Sequence, residues 1–416
     1  MSLQASAWET RLERRLPSWL LRPLDVTLSR KAVELLAMFT AAMFFAYVFM
    51  AAKVTLEGKQ TYHFGDFFAL WTSAIVTHAG DAAVNFDADA LHARQVALGM
   101  HPDGYNPFPY PPTFLLLLGP LGRLPLHLAF YVFMIPAFAG YFLAMTAGRW
   151  REWWWALGAC VAPATGITLI SGQTGYLSAA LMIGGLRLLP ARPALAGVLF
   201  GLLTYKPQLG VLIPIALLAM GSWRALAAAA ATVAAGVLAS GFVYGFALWS
   251  LWAHSMVEYA TRFHPVVGYM PTIYANAIML GAWRTVAWGA QLCVSIPVGF
   301  VVWRAYAQGP SERAAALLVV GTYLATPHAF NYDMPMMTLA LVWYFVARWR
   351  EARPFDLGEI VALLLAFTMP FLMLELKKVG MPMSFAPLGL MFCLIAWPRA
   401  EKPADSASWP EIAAPA

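Results

Sequence analysis

The sequence predicts an all-α fold, a polytopic bundle of transmembrane helices, and two observations carry that prediction. Of its 416 residues, 61% are hydrophobic and 12% are charged, whereas soluble domains carry about 25% charged residues. Long apolar runs also recur along the chain, and a helix of about 20 apolar residues is the simplest element that crosses a bilayer. The composition therefore excludes a soluble domain.

The N-terminal segment, residues 1–31, carries six basic residues and three acidic ones, and the apolar run 32–52 follows it. That run is too long for the core of a signal peptide, and no small-residue cleavage site follows it. We therefore predict a cytoplasmic N-terminal segment and a retained first helix.

Further apolar runs continue to the end of the chain. They lie at about 127–147, 153–170, 174–189, 193–205, 207–220, 225–248, 286–303, 313–326, 333–347, 358–374 and 381–397. With the first helix they predict twelve spans, within a range of about 10–13. Basic residues gather at alternate ends of these runs, as the positive-inside rule requires of cytoplasmic ends.

One apolar segment, residues 110–122, fits two interpretations. It is either a thirteenth short span or a half-buried hairpin arm on the external side. Two long external loops are predicted, 53–110 and 249–285, and the first is expected to hold interfacial helices. The predicted domain is residues 32–397, and 398–416 are expected to form a disordered cytoplasmic tail.

The net charge of +6 does not indicate a nucleic-acid partner, because the basic residues lie in short clusters between apolar runs. Cys160, Cys293 and Cys393 lie far apart inside apolar runs. A disulfide framework or a thiolate metal site is therefore not expected. The pair Asp87 and Asp89 has the spacing of a metal-binding motif, but solvated acids are commoner in such loops, so we predict no metal.

Asp66 stands in the stretch HFGDFFALW, between aromatic residues and a glycine. A helical interpretation places Phe67, Leu70, Trp71 and Ala74 along one side, as aromatic anchors at the membrane surface. The carboxylate would then be partly desolvated, and its pKa would rise toward that of a general base. The alternative is that Asp66 only caps the helix as a solvated acid.

Lys206 lies inside an apolar run, in the sequence TYKPQ. A lysine in membrane surroundings costs several kcal/mol unless it snorkels or is paired, so such cations indicate a functional site. Pro207 breaks the helix next to it, and a cation at that break suits an anionic phosphate. A lysine that snorkels at an ordinary helix end is the other interpretation.

Three more polar clusters fall on the predicted external face. Gln173, in SGQTG, is a candidate for a sugar hydroxyl or for loop backbone. TPHAFNYD holds His328, Asn331 and Asp333, where His328 is a candidate contact for a phosphate or a hydroxyl and the alternative is a polar turn with a capping Asp333. The last cluster lies in the second external loop, 249–285, and Arg262 is a candidate phosphate contact in it. Its members are Glu258, Tyr259, Arg262 and His264.

Five ordered stretches, GDFFALW, NPFPYPPTFLLLLGPL, SGQTGYLSAAL, LTYKPQLGVL and TPHAFNYD, resemble glycosyltransferase family 87. Those proteins are polytopic GT-C enzymes that use polyprenyl-phosphate sugars, the mycobacterial mannosyltransferases among them. The resemblance runs from about residue 32 to 350. It implies that Asp66 matches the catalytic base and that Lys206 and His328 match positions near the donor phosphate. Gln173, Tyr110, Asn331, Tyr205 and Gln208 are the expected substrate-binding residues.

The resemblance implies an inverting sugar transfer at the outer face of a bacterial inner membrane, without a cofactor. The expected partners are a polyprenyl-phosphate donor of a mannose-like hexose or a pentose, a glycolipid or glycan acceptor, and membrane lipids. A lipid or small-molecule transporter or flippase is the competing class, and it predicts polar residues on both membrane faces. A structural subunit is a third class, and it would not need Asp66, Lys206 and His328.

Overall fold

The computed structural model describes residues 65–147, 153–262, 264–350 and 357–397, and the single positions 35, 42, 49 and 355. The predicted segments 1–31 and 398–416 lie outside the described residues. The predicted first helix, 32–52, also lies outside them, apart from positions 35, 42 and 49. The described part of the chain contains α-helices and short 3-10 helices and no strand. The all-α prediction is confirmed.

The helices follow the predicted apolar runs closely. The first seven are α1 (Phe67–His78), α2 (Ala88–Ala97), α3 (Pro112–Leu118), α4 (Leu126–Thr146), α5 (Trp153–Val161), α6 (Pro163–Ser171) and α7 (Gly175–Leu188). The next five are α8 (Pro193–Leu202), α9 (Ile213–Ala219), α10 (Trp223–Tyr244), α11 (Ala247–Arg262) and α12 (Ile273–Met279). The last five are α13 (Arg284–Ala307), α14 (Glu312–Ala325), α15 (Met337–Arg350), α16 (Leu357–Lys378) and α17 (Ala386–Ala396).

Within the described residues, five helical segments are long and apolar enough to cross a membrane. They are Leu126–Thr146, Trp154–Ser171, Trp223–Tyr244, Arg284–Ala307 and Leu357–Lys378. The prediction of a polytopic membrane protein is therefore confirmed. Most of the other predicted spans are shorter helices, so the described helices of spanning length are fewer than the 10–13 expected.

The segment 110–122 does not form a helix of spanning length. Helix α3 has seven residues, about 10 Å of helix, and a 3-10 turn over Gly119–Arg123 follows it. Leu115 and Leu118 are fully buried, and the Tyr244 hydroxyl donates to the Leu115 carbonyl over 3.0 Å. This segment is a short arm packed against the bundle on one side, while Leu117 is 51% exposed.

The side chains of α1 that were predicted to anchor it in the membrane surface pack largely against protein, and the half-buried Trp71 donates through Nε1 to the Leu124 carbonyl over 2.9 Å. Phe67, Leu70 and Ala74 are at most 2% exposed. The Phe67 ring lies edge-on to Phe130 of α4, with the centroids 5.3 Å apart. An apolar helix face looks the same in sequence whether lipid or protein covers it, so only the packing distinguishes the two.

The second long loop, 249–285, is mostly helical. Helix α11 continues from Gly245, whose φ of 88° turns the chain after α10, and α12 begins at an N-cap. There the Thr272 hydroxyl accepts a hydrogen bond from the Ala275 N–H over 3.2 Å. The predicted loop is therefore a structured segment whose backbone hydrogen bonds are largely internal.

Small residues bring α8 and α10 into close contact. A side chain at Gly197 would collide with the Ala225 carbonyl, and one at Gly201 would lie 2.6 Å from Thr232 Cβ. Such small-residue interfaces let membrane helices approach each other closely. The packing holds the end of α8, and with it the Lys206 turn, against the rest of the bundle.

Candidate active site

The loops that carry the predicted functional residues meet around one cavity of about 650 Å³. Eight of the nine predicted site residues line it: Asp66, Tyr110, Gln173, Tyr205, Lys206, Gln208, His328 and Asn331. The side chain of the ninth, Arg262, lies outside the described part of the structure. The volume lies within the range of small-molecule sites, about 300–1,000 Å³.

Asp66 directly precedes α1, outside the five spanning segments, but its side chain does not cap that helix. Instead the Gln173 Nε2 donates to Asp66 Oδ2 over 3.0 Å, and the Asp66 N–H donates to the Ser171 carbonyl over 2.7 Å. Burial raises the pKa of the Asp66 carboxyl, while the hydrogen bond from Gln173 and the charge of Lys206 partly offset that rise. The interpretation of Asp66 as a solvated cap is therefore wrong.

Gly65 allows the two loops to touch. Its φ is +54°, and a Cβ on it would lie 2.5 Å from the Ser171 carbonyl oxygen. Only glycine accommodates both that left-handed conformation and that approach without strain. Asp66 is consequently held against the loop that carries Gln173.

We expect Gly65→Ala to lower the activity of this site at least tenfold, because the added methyl separates Asp66 from the Ser171 loop. Gly80→Ala is the matched control, since Gly80 also has a positive φ, +92°, but has no atom within 4 Å of its would-be Cβ. In the control, the substitution costs only the strain of an alanine in a left-handed backbone conformation, about 1–2 kcal/mol. Activity assays and melting curves on both proteins test this; equal losses of activity would contradict it.

Gln173 lies in the turn between α6 and α7. Helix α6 ends at Gly172, whose φ of 62° is the left-handed conformation common at helix C-termini. The turn directs the Gln173 side chain to Asp66 on one side and to Tyr110 on the other. The Tyr110 hydroxyl donates to Gln173 Oε1 over 2.9 Å.

Lys206 is 4% exposed, and its Nζ lies 2.6 Å from Oδ1 of Asp333, which is 1% exposed. Pro207 ends the preceding 3-10 turn and leaves Lys206 extended, with φ −127° and ψ 74°. The ammonium also lies 5.0 Å from the centroid of the Tyr332 ring. The interpretation of Lys206 as a snorkelling lysine is therefore wrong.

Asp333 lines the same cavity and was missing from the predicted site. Its Oδ2 accepts the Phe330 N–H over 3.1 Å, so the predicted capping role is also present. The signal that could have found it was Lys206 itself. A cation inside an apolar run requires a counter-charge, and Asp333 is an acid in another of the predicted polar clusters.

His328 is enclosed by rings, with centroid distances of 5.9 Å to Tyr259 and 5.0 Å to Phe330. Burial lowers the pKa of His328 to about 4, an effect that Asp333 opposes and Lys206 reinforces. His328 is therefore neutral at pH 7. It can donate a hydrogen bond there but carries no positive charge.

Two of the predicted substrate-binding residues already have protein partners. The Tyr205 hydroxyl lies 2.6 Å from the Ser178 hydroxyl and donates to the Thr174 carbonyl over 3.1 Å. Asn331 Nδ2 donates to the Pro370 carbonyl over 3.3 Å. These contacts hold Tyr205 and Asn331 in the cavity wall. Gln208 also lines the cavity, and its side chain is half-buried.

Of the remaining candidates in the second long loop, Glu258 and Tyr259 have side chains that the structure describes. Tyr259 lines the active-site cavity and, together with Glu258, an adjoining smaller cavity, and the side chains of Arg262 and His264 lie outside the described residues. Asp87 caps α2, since its Oδ1 accepts the N–H groups of Asp89 and Ala90 over 3.1 and 2.9 Å. Helix capping accounts for the Asp87 carboxylate.

A comparison with protein families matches the model of Glycosyltransferase family 87 to residues 108–327. The match covers more than half of the chain and includes Tyr110, Gln173 and Lys206. His328 follows its last residue, and Asp66 precedes its first. No curated protein and no solved structure matches the chain.

Proposed function

This chain is a membrane protein that belongs to glycosyltransferase family 87, and from that premise we propose that it transfers a sugar from a polyprenyl-phosphate donor to a glycolipid or glycan. The sugar is a mannose-like hexose or a pentose. One observation supports this assignment above the others. A carboxylate, Asp66, and a buried cation, Lys206, line one cavity although they are distant in sequence.

Asp66 acts as the general base in the proposed reaction. Its Oδ1 removes the proton from the acceptor hydroxyl while that oxygen attacks the anomeric carbon. The bond from the anomeric carbon to the acceptor oxygen forms as the bond to the phosphate oxygen breaks. A single displacement of this kind inverts the anomeric configuration. Burial supports the role, because a raised pKa makes the Asp66 carboxylate a stronger base.

The departing polyprenyl phosphate gains negative charge as the bond breaks. Lys206 lines the cavity as a cation, and Asp333 occupies one side of its ammonium group, which has three N–H donors. His328 is a neutral donor at the same wall. These groups stabilise developing charge without needing to reorganise. A phosphate is a good leaving group, so no second carboxylate is required as an acid, unlike in glycosidases.

We place the cavity on the external side of a bacterial inner membrane. Helix α7 begins beside Gln173 and carries Arg187 near its other end, about 20 Å away. Cytoplasmic ends of spans are enriched in arginine and lysine. The cavity end of the helix therefore faces outward.

Transfer by the purified protein in vesicles tests the proposal. A labelled mannosyl-phosphoryl polyprenol and a membrane glycolipid extract should yield labelled glycolipid and free polyprenyl phosphate. A nucleotide-sugar with the same label is the control and should give no product. Movement of the intact labelled lipid across the vesicle membrane without cleavage would instead support the flippase class.

The pH profile of transfer should have an acid limb controlled by Asp66. The base is active only when deprotonated, so activity should fall as pH decreases through the pKa of Asp66. Because burial raises that pKa, the limb should lie above the ordinary value of an aspartate, about 3.9. A stopped assay of kcat/KM across pH measures the limb, and a flat profile down to pH 4 would contradict the prediction.

A further inference from the structure

Tyr110, Gln173 and Asp66 form a continuous chain of hydrogen bonds in the cavity wall. The Tyr110 hydroxyl donates to Gln173 Oε1 over 2.9 Å, and Gln173 Nε2 donates to Asp66 Oδ2 over 3.0 Å. Gln173 is 8% exposed and Tyr110 is 5% exposed. Buried polar groups of this kind depend on each other for hydrogen bonds.

The neighbours of Gln173 determine which way its amide points. The Thr174 N–H lies 3.4 Å from Gln173 Oε1 and can only donate. A flipped amide would direct its NH₂ group at that N–H and its oxygen at the Asp66 carboxylate, and both contacts are repulsive. The Tyr110 hydroxyl could bond either orientation, since it can donate or accept, and in the observed one it donates to Oε1. Nε2 is therefore held on Asp66.

This arrangement makes the two oxygens of Asp66 different. Oδ2 is bound by Gln173, whereas Oδ1 accepts no hydrogen bond from the residues that the structure describes. The terminal torsion of an aspartate is otherwise broad. The hydrogen bond from Gln173 restricts that torsion and leaves Oδ1 for an incoming hydroxyl.

We propose that Gln173, whose amide oxygen is held by the Thr174 N–H and the Tyr110 hydroxyl, is a positioning residue that holds Oδ2 of Asp66 and presents Oδ1 to the acceptor hydroxyl. This role replaces the expectation that Gln173 and Tyr110 bind the sugar. It rests on the proposed function, in which Asp66 takes the proton of the acceptor. Gln173 touches the base rather than the reacting atoms.

Other groups around the cavity also act on Asp66, so the contribution of Gln173 has to be measured against them. The charged and titratable residues that line the cavity are Lys206, Asp333, His328 and the tyrosines 105, 110, 205, 259, 269 and 332. The hydrogen bond from Gln173 favours the charged carboxylate and lowers the pKa of Asp66, whereas burial raises it. Removal of the Gln173 amide should therefore raise the pKa of Asp66.

Gln173→Leu is the first test. We expect the acid limb of kcat to move about one pH unit higher, the shift expected from losing a hydrogen bond to a charged group. The KM for the polyprenyl-phosphate donor should stay within about twofold of the wild-type value. Tyr110→Phe should move the limb in the same direction by a smaller amount, because it removes one hydrogen bond that holds the amide oxygen and leaves the bond from Gln173 to Asp66 in place.

Gln308→Leu is the control, since it makes the same change at an exposed glutamine that follows α13 and lies outside the cavity. Its acid limb should coincide with that of the wild type. Gln173→Glu preserves the shape of the side chain and keeps the test usable if the leucine variant does not fold. A second carboxyl beside Asp66 should move the limb further upward, because two neighbouring carboxyls resist double ionisation.

Two results would overturn the inference. The first is an acid limb that is unchanged in both Gln173→Leu and Gln173→Glu. The second is a Gln173→Leu variant with a raised KM for the polyprenyl-phosphate donor and the acid limb of the wild type. The second result would assign Gln173 to sugar binding. Asp66→Asn, assayed in parallel, keeps the two hypotheses apart. If that variant is inactive while the Gln173 variants keep the wild-type limb, the base assignment stands and only the positioning role fails.

Discussion

Asp66→Asn should lower kcat about 10³-fold, within the range that a positioned general base contributes. The amide has nearly the same shape as the carboxylate but cannot accept the proton of the acceptor hydroxyl. Donor binding should persist, because the Asp66 side chain does not carry the charge that attracts a phosphate. Single-turnover transfer from labelled polyprenyl-phosphate sugar measures the loss, and donor affinity is measured separately.

Asp103→Asn is the control for this experiment. Asp103 lies in the same predicted external loop, with its side chain 92% exposed beside His101, and exposed ion pairs contribute little. That variant should keep wild-type activity. Full activity of Asp66→Asn would rule out Asp66 as the base, and the acceptor hydroxyl would then need another proton acceptor.

Lys206→Met should lower both stability and activity. It leaves the Asp333 carboxylate buried without the ammonium that lies 2.6 Å away, and an uncompensated buried charge costs about 3–5 kcal/mol. It also removes the cation proposed to stabilise the departing phosphate, so kcat should fall by at least about 10²-fold. Thermal unfolding in detergent and transfer assays measure the two effects.

The double variant Lys206→Met with Asp333→Asn separates the two roles. The asparagine keeps an oxygen for the Phe330 N–H, which Asp333 Oδ2 accepts over 3.1 Å, and neither residue of the pair then carries a charge. We expect the double variant to regain much of the lost stability but none of the lost activity. Recovery of activity along with stability would mean that Lys206 is only the counter-ion of Asp333.

Much of the helical architecture could be predicted from the sequence, because apolar length and basic flanks are local properties. The run predicted at 127–147 is helix Leu126–Thr146, and the run at 286–303 lies within Arg284–Ala307. The turn at Gln173 was also local, because glycine on either side of a polar residue interrupts an apolar helix. The fold class therefore follows from the sequence.

The site could be predicted only in part. Asp66, Lys206 and His328 stood out because a polar group is expensive in an apolar chain. The partners of these residues were not visible, since Asp333 lies 127 residues after Lys206 and Gln173 lies 107 residues after Asp66. Nothing in a single sequence states which distant polar groups meet.

By itself, the sequence established a helical membrane protein and the small set of polar residues that such a chain must either pair or use. The packing of the helices determined which of those polar residues pair with each other. Lys206 pairs with Asp333, Gln173 pairs with Asp66, and α1 turns its rings inward. Pairing depends on distances of about 3 Å between side chains from different helices, and those distances arise only when the helices pack.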